Sequence, residues 1–268
     1  MMTDQATTRR WILQRLGAGL AGAAGAAVWP GIARSADTSH PPHWSYEGAE
    51  GPARWGHLAP GYQACGSGRR QSPIDLATAH LGGSDDLVFD WHPFAAKVSN
   101  NGHTIQVDPE ADAAGSGLTL GGRRFNFLQF HFHHPSEHAL AGKRWPLEVH
   151  LVHKAASGDG LAVLGIMLRP GRANDLLGRI VAHMPKERGK VPLSGPIDLA
   201  AWLPTAAVTY RYPGSLTTPP CSEIVDWIVF RDPIEAGIGQ IKSFARLFPM
   251  NARPLQPLAD RNVTLDFF

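Results

Sequence analysis

The chain carries no run of basic residues. Its formal net charge is only +2. Residues 1–36 hold Arg9, Arg10, Arg15 and Arg34 against Asp4, so the remainder is about one charge negative. A near-neutral body of this kind argues against nucleic acid and against an anionic membrane surface as partners. Long apolar runs are missing too. The stretch Leu16 to Val28 is 13 residues diluted by four glycines, short of the roughly 20 that a membrane span needs. Long helices have little room among 22 prolines and 29 glycines, and no internal repeat or low-complexity segment follows residue 40. Cysteine is scarce. Cys65 and Cys221 are the only two; in an exported protein they point to one disulfide, while their distance along the chain leaves two free buried thiols as the alternative.

What is present is an ordinary globular composition, 43% hydrophobic and 18% charged over 268 residues, enough for a substantial core in a single domain. The N-terminus reads as an export signal. A twin arginine, Arg9 and Arg10, precedes the Gly/Ala-rich stretch, and small residues Ala33, Ser35 and Ala36 stand where cleavage would fall, so residues 1–36 are expected to direct twin-arginine export to the periplasm or beyond. Residues 37–268 are expected to be one domain. The segment from His43 to Leu58 is turn-rich and carries Trp44 and Trp55, which predicts an irregular stretch pinned by aromatics. Short apolar runs follow at Leu87 to Asp90, Thr104 to Val107, Phe125 to His133, Leu147 to His153, Ala162 to Leu168, Val208 to Tyr212 and Ile224 to Phe230. Each has strand length, and most are bounded by Gly, Pro, Asn or Asp. Two segments read as helices, around Asp175 to His183 and Glu235 to Leu247. The expected class is mainly β with a few short surface helices.

The run Gln129 to His138 holds four histidines, a glutamate and a proline. On an extended chain Phe127, Gln129, His131 and His133 share one face, while Leu128, Phe130 and Phe132 share the other. Residues two apart on a strand lie roughly 6 to 7 Å apart, a distance from which two imidazoles converge on one ion. His134 points the opposite way. In Leu147 to His153, Glu148, His150 and Val152 share a face, so His150 supplies a third nitrogen if the two strands are neighbours. Three neutral imidazoles leave an open fourth position, the arrangement with which zinc activates water; cobalt or another divalent ion also suits imidazole. Gln129 and Glu148, two residues from His131 and His150 on the same faces, are placed to accept from the other ring N–H groups. A cupin-type iron or manganese site, with Glu137 as a ligand, is the rival reading. Pro135 interrupts the strand before Glu137, and the glycines that bracket that motif are absent.

The motifs Gln71 to Leu76 (QSPIDL), Asn100 to His103 (NNGH), Gln129 to His138, Leu147 to His153 and Leu161 to Leu168 (LAVLGIML) recur in the order of one family. So do Tyr212 to Glu223 (YPGSLTTPPCSE), Asp226 to Phe230 and Asn251 to Pro257. Together they make the chain resemble the alpha-class carbonic anhydrases over roughly residues 43 to 268. His134 and Pro135 depart from the Trp-Gly of animal members and follow the pattern of bacterial ones.

That resemblance implies a central, mostly antiparallel ten-stranded twisted sheet, and a zinc ion held by His131, His133 and His150 at the bottom of a conical cleft. The implied activity is the reversible hydration of carbon dioxide to bicarbonate and a proton, by attack of zinc-bound hydroxide. Thr217 resembles the residue that orients the hydroxide, with Glu137 orienting Thr217, and Thr218 the residue that meets bicarbonate. Val152, Val163, Leu216 and Trp227 match the apolar substrate pocket. His103 matches the proton shuttle, and Asn101, Gln106 and Gln129 match polar residues lining the cleft. Cys65 and Cys221 match a bridged pair in bacterial members, and a homodimer is implied. A carbonic-anhydrase-like domain that binds without catalysis is the alternative, to which the presence of all three histidines and Thr217 is opposed. His138 is read as a structural hydrogen-bonding residue.

Overall fold

The computed structural model describes residues 42–83, 87–110, 115–206 and 208–267; the expected export signal lies outside them. Among the described residues thirteen strands make one sheet: β1 (His80–Leu81), β2 (Leu87–Asp90), β3 (Ala96–Asn100), β4 (Ile105–Pro109), β5 (Gly117–Leu120), β6 (Arg123–His133), β7 (Leu147–Ala155), β8 (Leu161–Pro170), β9 (Gly189–Pro192), β10 (Val208–Gly214), β11 (Val225–Phe230), β12 (Ile234–Ala236) and β13 (Thr264–Phe267). Ten of them follow one hydrogen-bonded path, β1-β13-β10-β11-β8-β7-β6-β4-β3-β9, while β2, β5 and β12 pair off it. The ten-stranded expectation therefore describes the path, and the whole sheet is larger. Pairing is antiparallel except for β1 with β13 and β8 with both β11 and β12.

The strands missed in the sequence, among them β3, β5 and β9, are two to five residues long. Too few apolar side chains alternate there to stand out from turns. At the centre of the sheet β7 is buried on both faces along most of its length, because each face carries its own core. One face packs Phe130, Phe132, Val149, Leu151 and Leu164 against Leu177, Ile180, Ile241 and Phe244 of two helices, α1 (Asp175–His183) and α2 (Ile238–Leu247). The other packs Ile74, Val152, Val163, Tyr212 and Trp227.

The first helix begins where its cap predicts, with the Asn174 side chain accepting from the Leu177 N–H at 2.9 Å. The second starts later than expected. Ile234–Ala236 extends parallel to the end of β8, and the Gln240 side chain accepts from the Gly237 N–H at 2.8 Å, which fixes the helix start after the strand. The segment from His43 to Leu58 is pinned by edge-on contacts among Trp44, Tyr46 and Trp55, yet it also holds a one-turn helix at Trp55–Leu58.

Cys65 and Cys221, 156 positions apart, form a disulfide with the sulfurs 2.04 Å apart. It ties the N-terminal aromatic segment to the turn after β10. Such a closure removes much of the unfolded chain's freedom. Reducing it should lower unfolding free energy by about 2–5 kcal/mol, read as a lower urea midpoint in the presence of reductant; an unchanged midpoint would show that the bridge does not constrain the fold.

Candidate metal centre

Register places the three histidines. His131 on β6 stands directly opposite His150 on β7, and His133 opposite Glu148. The rings gather with centroids 5.0 Å apart for His131 and His133, 5.3 Å for His131 and His150, and 4.6 Å for His133 and His150. Each ring has one nitrogen fixed by an acceptor. His131 Nδ1 donates to Gln129 Oε1 at 2.9 Å, His133 Nδ1 to the Asn251 carbonyl at 2.8 Å, and His150 Nε2 to Glu148 Oε1 at 2.8 Å. The acceptors set the tautomers, leaving His131 Nε2, His133 Nε2 and His150 Nδ1 with their lone pairs available. His133 Nε2 is buried with no hydrogen-bond partner, an orphan of the kind a missing ligand explains. One donor atom from each of the three residues lies within 4.8 Å of the others. An all-imidazole set of three fits zinc with an open position. His138, Glu148 and His150 also cluster within that distance, but Glu148 Oε1 already binds His138 Nδ1 at 2.7 Å and His150 Nε2, so this second group is a hydrogen-bond cluster.

One expectation about β6 fails. A bulge between Phe127 and Gln129 adds a residue to the strand and reverses its sides there. Phe127 is buried in the core with Phe125, and Leu128 is 47% exposed at the lip of the cleft. Without that bulge, the same alternation would have put Phe127 beside the histidines.

Burial drives the titration of the site. It lowers His131 well below its ordinary value, aided by repulsion from His133 and His150, and it lowers His133 to about 4. Burial lowers His150 as well, against the attraction of Glu148. Neutral imidazole, the form a metal needs, is thereby favoured. The two buried glutamates move in opposite directions. Burial raises Glu137 to about 6, opposed by His150, the Arg253 N–H and the Thr217 hydroxyl. Burial would also raise Glu148, but His138 and His150 hold it well below the carboxylate range.

Glu137 sits beyond Pro135 and makes no strand pairing. Its Oε1 accepts from the Arg253 N–H at 2.8 Å. The Thr217 hydroxyl favours its ionised form, although Oε2 has no partner within hydrogen-bond distance. Leu216, Thr217 and Thr218 ride on a turn closed by Leu216 N–H to the Ser222 carbonyl at 3.1 Å and Cys221 N–H to the Thr218 carbonyl at 2.9 Å. Val152, Val163 and Trp227 form a row across β7, β8 and β11, each in register with the next. With Leu216 they line a cleft of about 250 Å³ that also contains the three histidines, Gln129, Asn101, Gln106, His103, Thr217 and Thr218. The predicted site residues thus meet in one place, with Glu137 and Glu148 buried behind the rings.

His103 follows an Asn101 turn in which the side-chain oxygen accepts from the N–H groups of His103 and Thr104 at 2.9 and 3.0 Å. Its ring stacks on Trp44, 3.8 Å away and 8° from parallel. His134 leaves the cleft and bonds the Pro249 carbonyl at 2.9 Å. His138 hydrogen-bonds through both ring nitrogens, Nδ1 with Glu148 Oε1 at 2.7 Å and Nε2 with the Tyr212 hydroxyl at 2.6 Å. Three contributions escaped sequence reasoning. Asn251 holds His133, His134 and His103 through its carbonyl and side chain. Arg253, fully buried, donates to the Gln71 side chain and to the Ser72 and Cys65 carbonyls. Gly165 faces His150 across the pair, and a β-carbon there would lie 2.9 Å from Glu148 Oε1. None of these carries a local signal, since each acts on a residue far away in sequence.

The chain is similar to known proteins over most of its length. The family described as eukaryotic-type carbonic anhydrase matches residues 50–267. A carbonic anhydrase of Nostoc sp. is 43% identical, with 95% of this chain and 96% of that protein covered. One from Pectobacterium atrosepticum is 40% identical, covering 85% and 92%. Among solved structures, the alpha-carbonic anhydrase of Thermovibrio ammonificans in complex with the inhibitor sulfanilamide superposes with a TM-score of 0.80 at 41% identity, over 84% of this chain and all of that one. Register, ring geometry and likeness along the whole sheet place this chain in the alpha-type carbonic anhydrase family.

Proposed function

We propose that His131 Nε2, His133 Nε2 and His150 Nδ1 hold a zinc ion, and that the chain catalyses the reversible hydration of carbon dioxide to bicarbonate and a proton. The observation that carries this reading is the convergence of three acceptor-fixed imidazoles, one with an orphaned buried nitrogen, beside an apolar wall. Bound there, zinc supplies a water activated for attack near neutral pH, an effect for which this family is the standard example.

The protein's own groups do the rest. The carboxylate of Glu137, held by the Arg253 N–H, draws the Thr217 hydrogen toward itself, so Thr217 meets the nucleophile as an acceptor and fixes its direction. The row of Val152, Val163 and Trp227 with Leu216 gives a nonpolar substrate an apolar place beside a polar centre. Thr218, on the same turn, is placed to donate to bicarbonate. His103 carries the proton out through ordered water, with Asn101, Gln106 and Gln129 as the polar lining along that route. In its stacked orientation burial, Arg188 and His43 lower His103 to about 4, so this orientation releases a proton at neutral pH.

We further propose that residues 1–36 are a twin-arginine export signal and that the domain works in the periplasm or outside the cell. The disulfide supports an oxidising compartment, and no helix among the described residues is long and apolar enough to cross a membrane.

Stopped-flow hydration of carbon dioxide by the zinc-loaded protein, abolished by a sulfonamide, is the expected result; an inactive, fully metal-loaded protein would overturn the reading. Glu148→Gln and Gly165→Ala should each weaken zinc affinity by about 10- to 100-fold in chelator competition, because both disturb the acceptor that orients His150. Val163→Phe should lower kcat/KM for hydration by filling the substrate's place. His103→Ala should lower kcat and leave kcat/KM largely intact, with imidazole buffer restoring part of the loss. Absence of rescue would remove His103 from the proton path.

A further inference from the structure

Trp44 and His103 line the metal cleft and also a second cavity of about 320 Å³. The stacked pair is a wall common to both. The lining of the outer cavity includes Arg188, His43 and Glu47, together with the apolar Leu247, Phe248 and Met250. Arg188 lies against the backbone of Gly102, where φ is +89° and where a β-carbon would overlap the guanidinium. The glycine therefore lets the guanidinium close on the residue next to the imidazole. Among the described residues Arg188 has no ion-pair partner. His43 does have one, with Nδ1 2.8 Å from Glu50 Oε2. Its ring centroid is 6.5 Å from that of His103.

We propose that this outer cavity docks a small oxyanion of the hydrogen-phosphate class on Arg188, and that the docked anion takes the proton from the His103 imidazolium. A guanidinium with no ion-pair partner among the described residues, beside a proton donor, favours an acceptor that is itself anionic, since it repels a cationic one and offers two parallel N–H groups to an oxyanion. In the step, the N–H bond of the His103 imidazolium breaks, an O–H bond forms on hydrogen phosphate, dihydrogen phosphate departs, and His103 is left neutral. Burial, Arg188 and His43 all disfavour the imidazolium in this orientation, which gives the transfer its direction. Glu47 lines the same cavity and Glu50 is already held by His43, so the phosphate's partner is Arg188.

The proposal rests on the reading of His103 as proton carrier, and two measurements on the zinc-loaded full chain separate the two. In the first, inorganic phosphate is titrated at constant ionic strength while the NMR signals of the His103 ring and the Arg188 Nε–H are followed. Saturable shifts at both are expected, with the apparent Kd about tenfold weaker in Arg188→Gln. In the second, the hydration kcat is measured against phosphate and against imidazole. The wild type should saturate with phosphate, Arg188→Gln should need about tenfold more phosphate, and its response to imidazole should stay within about twofold of wild type. No shift at His103 or Arg188, or identical phosphate curves in the two proteins, would overturn the site. Phosphate binding by NMR without any effect of His103→Ala on the phosphate-dependent kcat would keep the site and refute the shuttle.

Discussion

A carboxylate shut away from water organises this protein. Glu148 is fully buried, and its two oxygens take four hydrogen bonds. Oε1 accepts from His138 Nδ1 and His150 Nε2, and Oε2 accepts from the backbone N–H groups of Glu137 and His138, all between 2.7 and 2.9 Å. Burying such a charge costs several kcal/mol, which complete pairing offsets. Removing one donor would leave the charge partly unpaired, so the loop that bears Glu137 and the strand that bears His150 are held to each other. Gly165 belongs to the same arrangement, because only a residue without a side chain leaves room for the carboxylate across the strand pair.

From that anchor the division of labour between two neighbouring glutamates follows. Both are buried, so burial pushes both toward protonation. Glu148 is surrounded by histidine N–H groups and stays ionised as a fixed acceptor. Glu137 has a backbone N–H, a threonine hydroxyl and one oxygen without a partner, and sits near 6. Like side chains separated by environment in this way take different tasks. The raised Glu137 and the fixed tautomer of His150 are two outcomes of one buried electrostatic arrangement.

Much of this was legible in the chain. Short apolar runs of strand length mark β6, β7, β8, β10 and β11, and residue parity puts His131 with His133 and His150 with Glu148 before any strand is paired. Parity failed at Phe127 and Leu128, because a bulge is a property of pairing and leaves no mark in a single strand. Short strands such as Ala96–Asn100 and Gly189–Pro192 hold too few alternating residues to be recognised, and the three-residue parallel pairing of Ile234–Ala236 competes invisibly with the helical periodicity expected from Glu235. The resemblance to alpha-class carbonic anhydrases supplied what spacing alone could not, above all the partnership of Cys65 with Cys221. The roles of Asn251, Arg253 and Gly165 remained hidden, since each exists only where distant segments meet.

The central claim is that three imidazoles, each with its tautomer set by an acceptor, form the complete protein ligand set. X-ray absorption at the zinc edge on the metal-loaded protein tests it most directly. Three imidazole nitrogens at about 2.0–2.1 Å, with one further light atom and no carboxylate, is the expected result. Coordination by a carboxylate, or by fewer than three imidazoles, would contradict the account.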